Sequence, residues 1–242
     1  MSAGSVSLGV FARYPRAGRV KTRLVPPLDG ASAARLYGAF VRDLAAALEG
    51  VRAARRVLFA SGEPGPGDPP WSDLLPSGWE VRPQMGGSLG ERLEAAFEEL
   101  LGTGAALVLG SDSPTLPVEV IGWAAGQLER ADLVLGPCTD GGYYLIGMRR
   151  LLPQILRGIP WSTDRVLGST LDIVERSGLV LGGLPPWYDV DTGSDLEFLR
   201  AHVRFLALTA GGTRHLRHTR DVLEELETGG LLDRTRGPQP EP

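Results

Sequence analysis

The chain has 242 residues, 43% hydrophobic and 22% charged, with a formal net charge of −4. That is the profile of an ordinary α/β protein with a full core, for which one domain suffices. No window approaches the roughly 20 apolar residues of a membrane span, the first apolar run is too short for a signal core, and a single cysteine, Cys138, precludes an internal disulfide or a cysteine-based zinc cluster. A cytoplasmic location is expected, and the acidic balance, with no basic block outside one loop, argues against a nucleic-acid groove.

In chain order, "SVSLGVFA" reads as a first strand and "ASAARLYGAFVRDLAAALEG" as a helix, with Leu36, Phe40, Leu44 and Leu48 on one face and Asp29 as its N-cap. "RVLFAS" is a second strand, and the Pro/Gly-rich stretch from Gly62 to Gly78 is left without assigned structure. "SLGERLEAAFEELL" opens with Ser88 and Glu91 in capping-box spacing. Strand "AALVLGSD", helix "PVEVIGWAAGQLER" and strands "ADLVLGP" and "GGYYLIGM" follow. Ser162 or Thr163 is expected to cap a helix ending at Ser177, "WYDVD" reads as a short strand, and Thr192 with Asp195 caps "SDLEFLRAHVRFLAL". A charged helix, "TRHLRHTRDVLEELE", precedes a tail, "RTRGPQPEP", expected to fray. The alternation implies an open, mostly parallel sheet with helices on both faces, and in such sheets ligands bind beyond the carboxyl ends of the strands.

Three unusual stretches fall at such ends. "FARYPRAGRVKTRL" carries four arginines and Lys21, the only lysine of the chain, which is either a compact ammonium placed for a phosphate or a chance lysine in a solvated basic loop. Arg13 and Arg23 are its candidate partners, and Gly18 can turn backbone N–H groups toward an anion. Asp112 in "GSDSPTLP" stands at a strand mouth, where it either caps a turn or holds a divalent cation opposite the basic loop. Asp189 and Asp191 in "YDVDT" sit two apart on an extended segment, pointing the same way, either toward solvent or toward a cation. In "GPCTDGGYYLIG", Gly141 and Gly142 allow close backbone approach and Asp140 lies at a tight turn, while Tyr143 and Tyr144 place one ring on each sheet face. The same pattern also describes a plain hairpin. His202, His215 and His218 lack a third ligand at metal spacing and read as surface residues, and Cys138 reads as a small buried residue.

Taken in order with "GGSLGERLEAAF" and "PWSTDRVLGSTL", these stretches resemble a family of small bacterial GT-A-fold glycosyltransferase-like proteins of the nucleotide-diphospho-sugar transferase superfamily, some members of which are associated with arsenosugar biosynthesis. The resemblance runs from about Val6 to about Leu199. It implies a three-layer α/β/α GT-A (Rossmann-like) fold over residues 1–210, with a C-terminal helix at 211–232 packed on it and a flexible tail at 233–242. By position it implies Asp112 and Asp191 as ligands of Mg²⁺ or Mn²⁺. Lys21 and Arg23 would lie over nucleotide phosphates, with Arg13 and Gly18 in the same loop. Gly86, Gly87 and Leu89 would close on base or ribose, and Asp140, Gly141, Gly142 and Tyr143 would line the sugar or acceptor side, Asp140 being the candidate general base.

The implied activity is transfer of a sugar from a nucleotide diphospho-sugar to a small acceptor, catalysed by Asp112, Asp140 and Lys21, with a homodimer compatible. An alternative is a nucleotidyltransferase that releases pyrophosphate, guanylyltransferase-like, of the phospholactate or molybdenum-cofactor type. "KTRL" resembles the lysine–arginine pair of the phospholactate enzyme, although the Gly-Gly-X-Gly signature of most nucleotidyltransferases is missing from the opening loop. A second alternative is a non-catalytic nucleotide-binding protein.

Overall fold

The computed structural model describes residues 6–209 and 212–232. The sheet strands are β1 (Val6–Arg13), β2 (Ala53–Ser61), β3 (Glu80–Pro83), β4 (Ala106–Gly110), β5 (Leu133–Pro137), β6 (Tyr143–Met148) and β7 (Leu181–Gly183). The helices are α1 (Gly30–Leu48), α2 (Leu89–Leu100), α3 (Val118–Gln127), α4 (Pro153–Leu156), α5 (Val166–Ser177), α6 (Gly193–Leu208) and α7 (Arg217–Thr228). Strand order is β3-β2-β1-β4-β6-β5-β7. All neighbours run parallel except β6, which is antiparallel to both β4 and β5.

Strand periodicity sorts side chains to two cores. On β1, Val6, Leu8, Val10 and Ala12 face one layer with Phe40 of α1, Ile121 of α3, Leu199 of α6 and Leu223 of α7. Val57, Phe59, Val108, Leu135 and Ile146 face the other layer, with Phe97 of α2, Ile155 of α4 and Val174 of α5. Tyr143 and Tyr144 divide between these two cores, as alternation requires. The result is the three-layer α/β/α arrangement, and β1, β4 and β5 bring their carboxyl ends to one rim.

Local capping rules hold where the partners are adjacent in sequence. Asp29 accepts from the Ser32 N–H at 2.8 Å, and Ser88 with Glu91 and Thr192 with Asp195 both form complete capping boxes. Three expectations are corrected. "WYDVD" is not a strand: it runs irregularly, with a single bridge between Trp187 and Cys138, because its backbone donors go to separate partners, Trp187 to the Pro137 carbonyl and Val190 to the Asp112 carbonyl. Helix α5 begins at Val166 without a side-chain cap: the Thr163 hydroxyl donates to the Pro160 carbonyl at 2.7 Å and accepts the Arg165 N–H at 3.3 Å, one residue ahead of the helix. Two short strands left unassigned by the sequence, β3 and β7, each pair with a parallel neighbour and carry little pattern of their own. The histidines are half-buried and not fully exposed: the Tyr188 hydroxyl lies 2.8 Å from His202 Nδ1, and His215 Nε2 is buried. The tail expected to fray, from 233 onward, lies outside the described residues.

The C-terminal helix is tied down by a contact across most of the chain. Asp43 of α1, 2% exposed, accepts the His218 N–H at 2.9 Å and the Thr219 N–H at 2.7 Å, so its carboxylate caps the first turn of α7. Burial pushes its pKa up against these hydrogen bonds. Asp43→Ala should lower the free energy of unfolding by about 3 kcal/mol, because two buried donors and a helix end lose their acceptor. Urea denaturation measures this, with Asp43→Asn expected to lie between the two.

Candidate active site

The site begins with the backbone of the opening loop. Val20 and Leu24 are buried anchors, and between them Lys21 adopts the left-handed conformation, φ 46° and ψ 40°, before a short 3₁₀ turn at Thr22–Leu24. A residue other than glycine is rarely held there without a compensating contact. The compensation is ionic. The Lys21 ammonium donates to Asp112 Oδ1 and, at 2.8 Å, to Asp191 Oδ1. The lysine side chain is only 4% exposed, whereas those of Asp112 and Asp191 are 42% and 45% exposed.

Three further contacts fix this clamp. The Val190 N–H donates to the Asp112 carbonyl at 2.9 Å, which sets the segment bearing Asp191 beside the end of β4. Asp195, in its capping box, accepts from the N–H groups of Asp191 and Thr192. Beneath the ammonium, 5.5 Å from its ring centre, lies Tyr37. The Tyr37 hydroxyl accepts from the Arg13 N–H at 3.0 Å and lies 2.7 Å from Ser111 Oγ, which joins the ends of β1 and β4. Burial alone would lower the lysine pKa, but the two carboxylates outweigh it and hold it above its ordinary value. Tyr37 is pushed up to about 12, mainly by burial, with the Asp112 charge adding to it.

Asp189 takes a different partner from Asp191, accepting a hydrogen bond from Ser113 Oγ. Burial pushes its pKa up to about 6, opposed by that hydrogen bond and reinforced by the Asp112 charge. Cys138, Asp140 and Asp189 offer ligand atoms within 4.8 Å of one another.

Two cavities meet at the clamp, with Phe11, Leu89 and Asp191 bordering both. The smaller, about 310 Å³, contains Arg13, Lys21, Gln84, Arg92 and Asp112. The larger, about 550 Å³, contains Arg23, Asp140, Gly142, Tyr143 and Asp189. Of the residues singled out in the sequence, Lys21, Asp112 and Asp191 therefore converge, while Arg13 and Arg23 fall on opposite sides. Gly18, Gly86, Gly87 and Gly141 shape loops without lining either cavity, Gly86 and Gly87 giving their carbonyls to Arg92. Tyr37, Ser111, Arg92 and Trp161 at the site carried no signal of their own, although Trp161 lies in the quoted "PWSTD" motif. A separate hollow of about 610 Å³ between α6 and α7 holds none of these residues and is crossed by ion pairs from Arg200 to Glu197 and Glu227.

Strand-end carboxylates and an ammonium beside two clefts, on a mostly parallel sheet, mark the ligand-binding rim of an open α/β sheet. A protein of Desulfovibrio desulfuricans G20, named provisionally a nucleotide-diphospho-sugar transferase, is 32% identical, with a TM-score of 0.81 over 94% of this chain and 96% of that one. The chain belongs to this bacterial nucleotide-diphospho-sugar transferase-like family. Residues 44–163 also match the model of a family described as uncharacterized protein conserved in bacteria (DUF2064). Two more distant structures share the fold. A cytidylyltransferase from Leptospira borgpetersenii serovar Hardjo-bovis is 12% identical, with a TM-score of 0.53 over 97% of this chain and 99% of that one. CMP:2-keto-3-deoxy-manno-octonic acid synthetase, complexed with CTP, is 14% identical, with a TM-score of 0.51 over 83% and 99%. No curated protein matches the sequence. Among the described residues no helix is long and apolar enough to cross a membrane.

Two outcomes follow for stability. Because a buried ammonium needs at least one carboxylate, Asp112→Asn or Asp191→Asn alone should cost about 1 kcal/mol and the double variant about 3 kcal/mol, more than the sum. Denaturation of the four proteins forms the required cycle. Asp189 works in the opposite sense. A carboxyl whose pKa rises from 3.8 to about 6 on folding binds its proton more tightly in the native state, so its contribution is full below pH 3.8 and falls as pH rises through 6. Asp189→Asn should flatten that slope and stabilise the protein above pH 6 by at most about 3 kcal/mol, read from denaturation midpoints between pH 4 and 8.

Proposed function

We propose that this protein transfers a sugar from a nucleotide diphospho-sugar to an acceptor hydroxyl. The observation that carries the reading is the clamp of Lys21, Asp112 and Asp191 at the junction of a basic cleft and a second, larger one. Arg13 and Arg92 give the smaller cleft the charge to hold a nucleotide's phosphates, and Leu89 at its border can pack on base or ribose. The transferred sugar would then extend past Asp191 into the larger cleft.

The donor set also fits a divalent cation. Asp112 and Asp191 each give one oxygen to Lys21 and stay partly exposed, and two carboxylates against one ammonium leave a net negative charge. Mg²⁺ and Mn²⁺ accept one or two carboxylates plus phosphate oxygens. Such an ion, held by Asp112 and Asp191, would neutralise charge on the departing diphosphate.

In the transfer, an acceptor oxygen forms its bond to the anomeric carbon while the bond from that carbon to the diphosphate oxygen breaks, its electron pair leaving with the nucleoside diphosphate. The acceptor proton passes to Asp140, whose Oδ1 accepts from the Gly142 N–H at 2.8 Å and so has a fixed orientation in the larger cleft. Lys21 holds both carboxylates in register, and Arg13 and Arg92 offer positive charge to the phosphates.

Calorimetry against nucleotide diphospho-sugars, with and without Mg²⁺ or Mn²⁺, is expected to show metal-dependent binding, followed by release of a nucleoside diphosphate. Asp112→Asn should reduce turnover by at least about 100-fold while the circular dichroism stays native. Pyrophosphate release from a nucleoside triphosphate would establish the nucleotidyltransferase alternative instead, and metal-independent binding without turnover a binding protein.

A further inference from the structure

The larger cavity does not simply follow the rim. It reaches below the sheet edge into the second core layer, where its deep wall is formed by Leu93, Val108 and Ile146, all buried, together with Phe11, Tyr143 and Trp161. That is an apolar slot with a polar entrance, the usual build of a small-molecule site.

Its walls are preformed. The rings of Tyr143 and Trp161 meet edge to face at 6.0 Å, and Trp161 Nε1 donates to the Leu156 carbonyl at 3.2 Å. The Trp161 segment lies directly on the start of α2, because a side chain at Gly90 would come within 2.2 Å of the Leu156 carbonyl oxygen and 2.5 Å of Trp161 Nε1. On the other side Gly141, at φ +90°, lets the Asp164 backbone approach to a distance no Cβ would tolerate. Between these contacts Ser162 is held at φ 63°, and it too lines the slot. Strain of this kind persists where surrounding contacts over-determine the backbone, and it concentrates at ligand clamps.

The entrance is acidic. Asp140, Asp164 and Asp189 border it against a single guanidinium, that of Arg23. A phosphate or carboxylate would meet repulsion at the mouth and lose its hydration in the slot, whereas a hydroxyl finds hydrogen-bond acceptors and an amine finds counter-charge.

We propose that this slot binds an acceptor with an apolar or aromatic body and an uncharged or cationic head, and that it excludes phosphorylated and carboxylate acceptors. The word acceptor rests on the transferase reading above. The binding chemistry rests on the slot alone.

Saturation-transfer NMR on the full chain without nucleotide, using benzyl alcohol, benzylamine and phenyl phosphate as probes, tests it. Benzyl alcohol and benzylamine should bind at least about tenfold more tightly than phenyl phosphate, and Trp161→Ala should weaken them by a similar factor. Asp164→Lys alters only an exposed side chain, and it should bring phenyl phosphate up to the level of benzyl alcohol. Phenyl phosphate binding the native protein as well as benzyl alcohol, or an unchanged ranking in both variants, would overturn the proposal. Probe binding with no response to any nucleotide diphospho-sugar in calorimetry would keep the slot and remove the transferase reading. Nucleotide binding without probe binding would remove the slot alone.

Discussion

A single buried ammonium organises this molecule's rim. Lys21 is almost fully withdrawn from water, and an unpaired charge there would be costly, so the rim keeps this arrangement only while Asp112 or Asp191 reaches it. That requirement couples three distant parts of the chain: the loop after β1, the end of β4 and the segment leading into α6. The backbone bond from Val190 to Asp112 and the capping box at Thr192 and Asp195 are the means by which those parts are held at the right distance. A lysine is suited to this place in a way arginine is not, because a compact point charge can lie between two carboxylates and over the face of Tyr37, where a planar fork would demand a wider gap.

The clamp also divides two environments. On the side of β1, β2 and β3, Arg13 and Arg92 give a basic cleft, while on the side of β5 and β6 the chain supplies carboxylates above an apolar slot. The division follows from topology. Reversing β6 against β4 and β5 places the Cys138–Gly142 turn at the carboxyl end of β5, so that Asp140 reaches the same rim as Asp112. An all-parallel sheet would need a crossover there and would carry that turn away from the site.

Backbone freedom is concentrated at the same place. Lys21 and Ser162 are the non-glycine residues with positive φ among those described, and both border a cleft. Gly90 and Gly141 allow packing distances at the slot that no other residue permits. The core strands and the capped helices α1, α2 and α6 form the regular scaffold around these positions.

Much of this was legible in the sequence, and the reason is local. Strand alternation in "SVSLGVFA", the four-residue spacing of Leu36, Phe40, Leu44 and Leu48, and the capping boxes at Ser88 and Thr192 are interactions between near neighbours, which the order of residues itself specifies. The lone lysine and the strand-end aspartates were visible as oddities of composition and place. What the sequence left open was which distant groups meet. Asp43 capping α7, Asp189 turning to Ser113 while Asp191 turns to Lys21, the short strands β3 and β7, and the aromatic slot under the rim are contacts between residues far apart in the chain. Such contacts exist only once the sheet order and helix packing have brought their backbones together, because a side chain's reach is a few ångströms and only tertiary structure sets what lies within it.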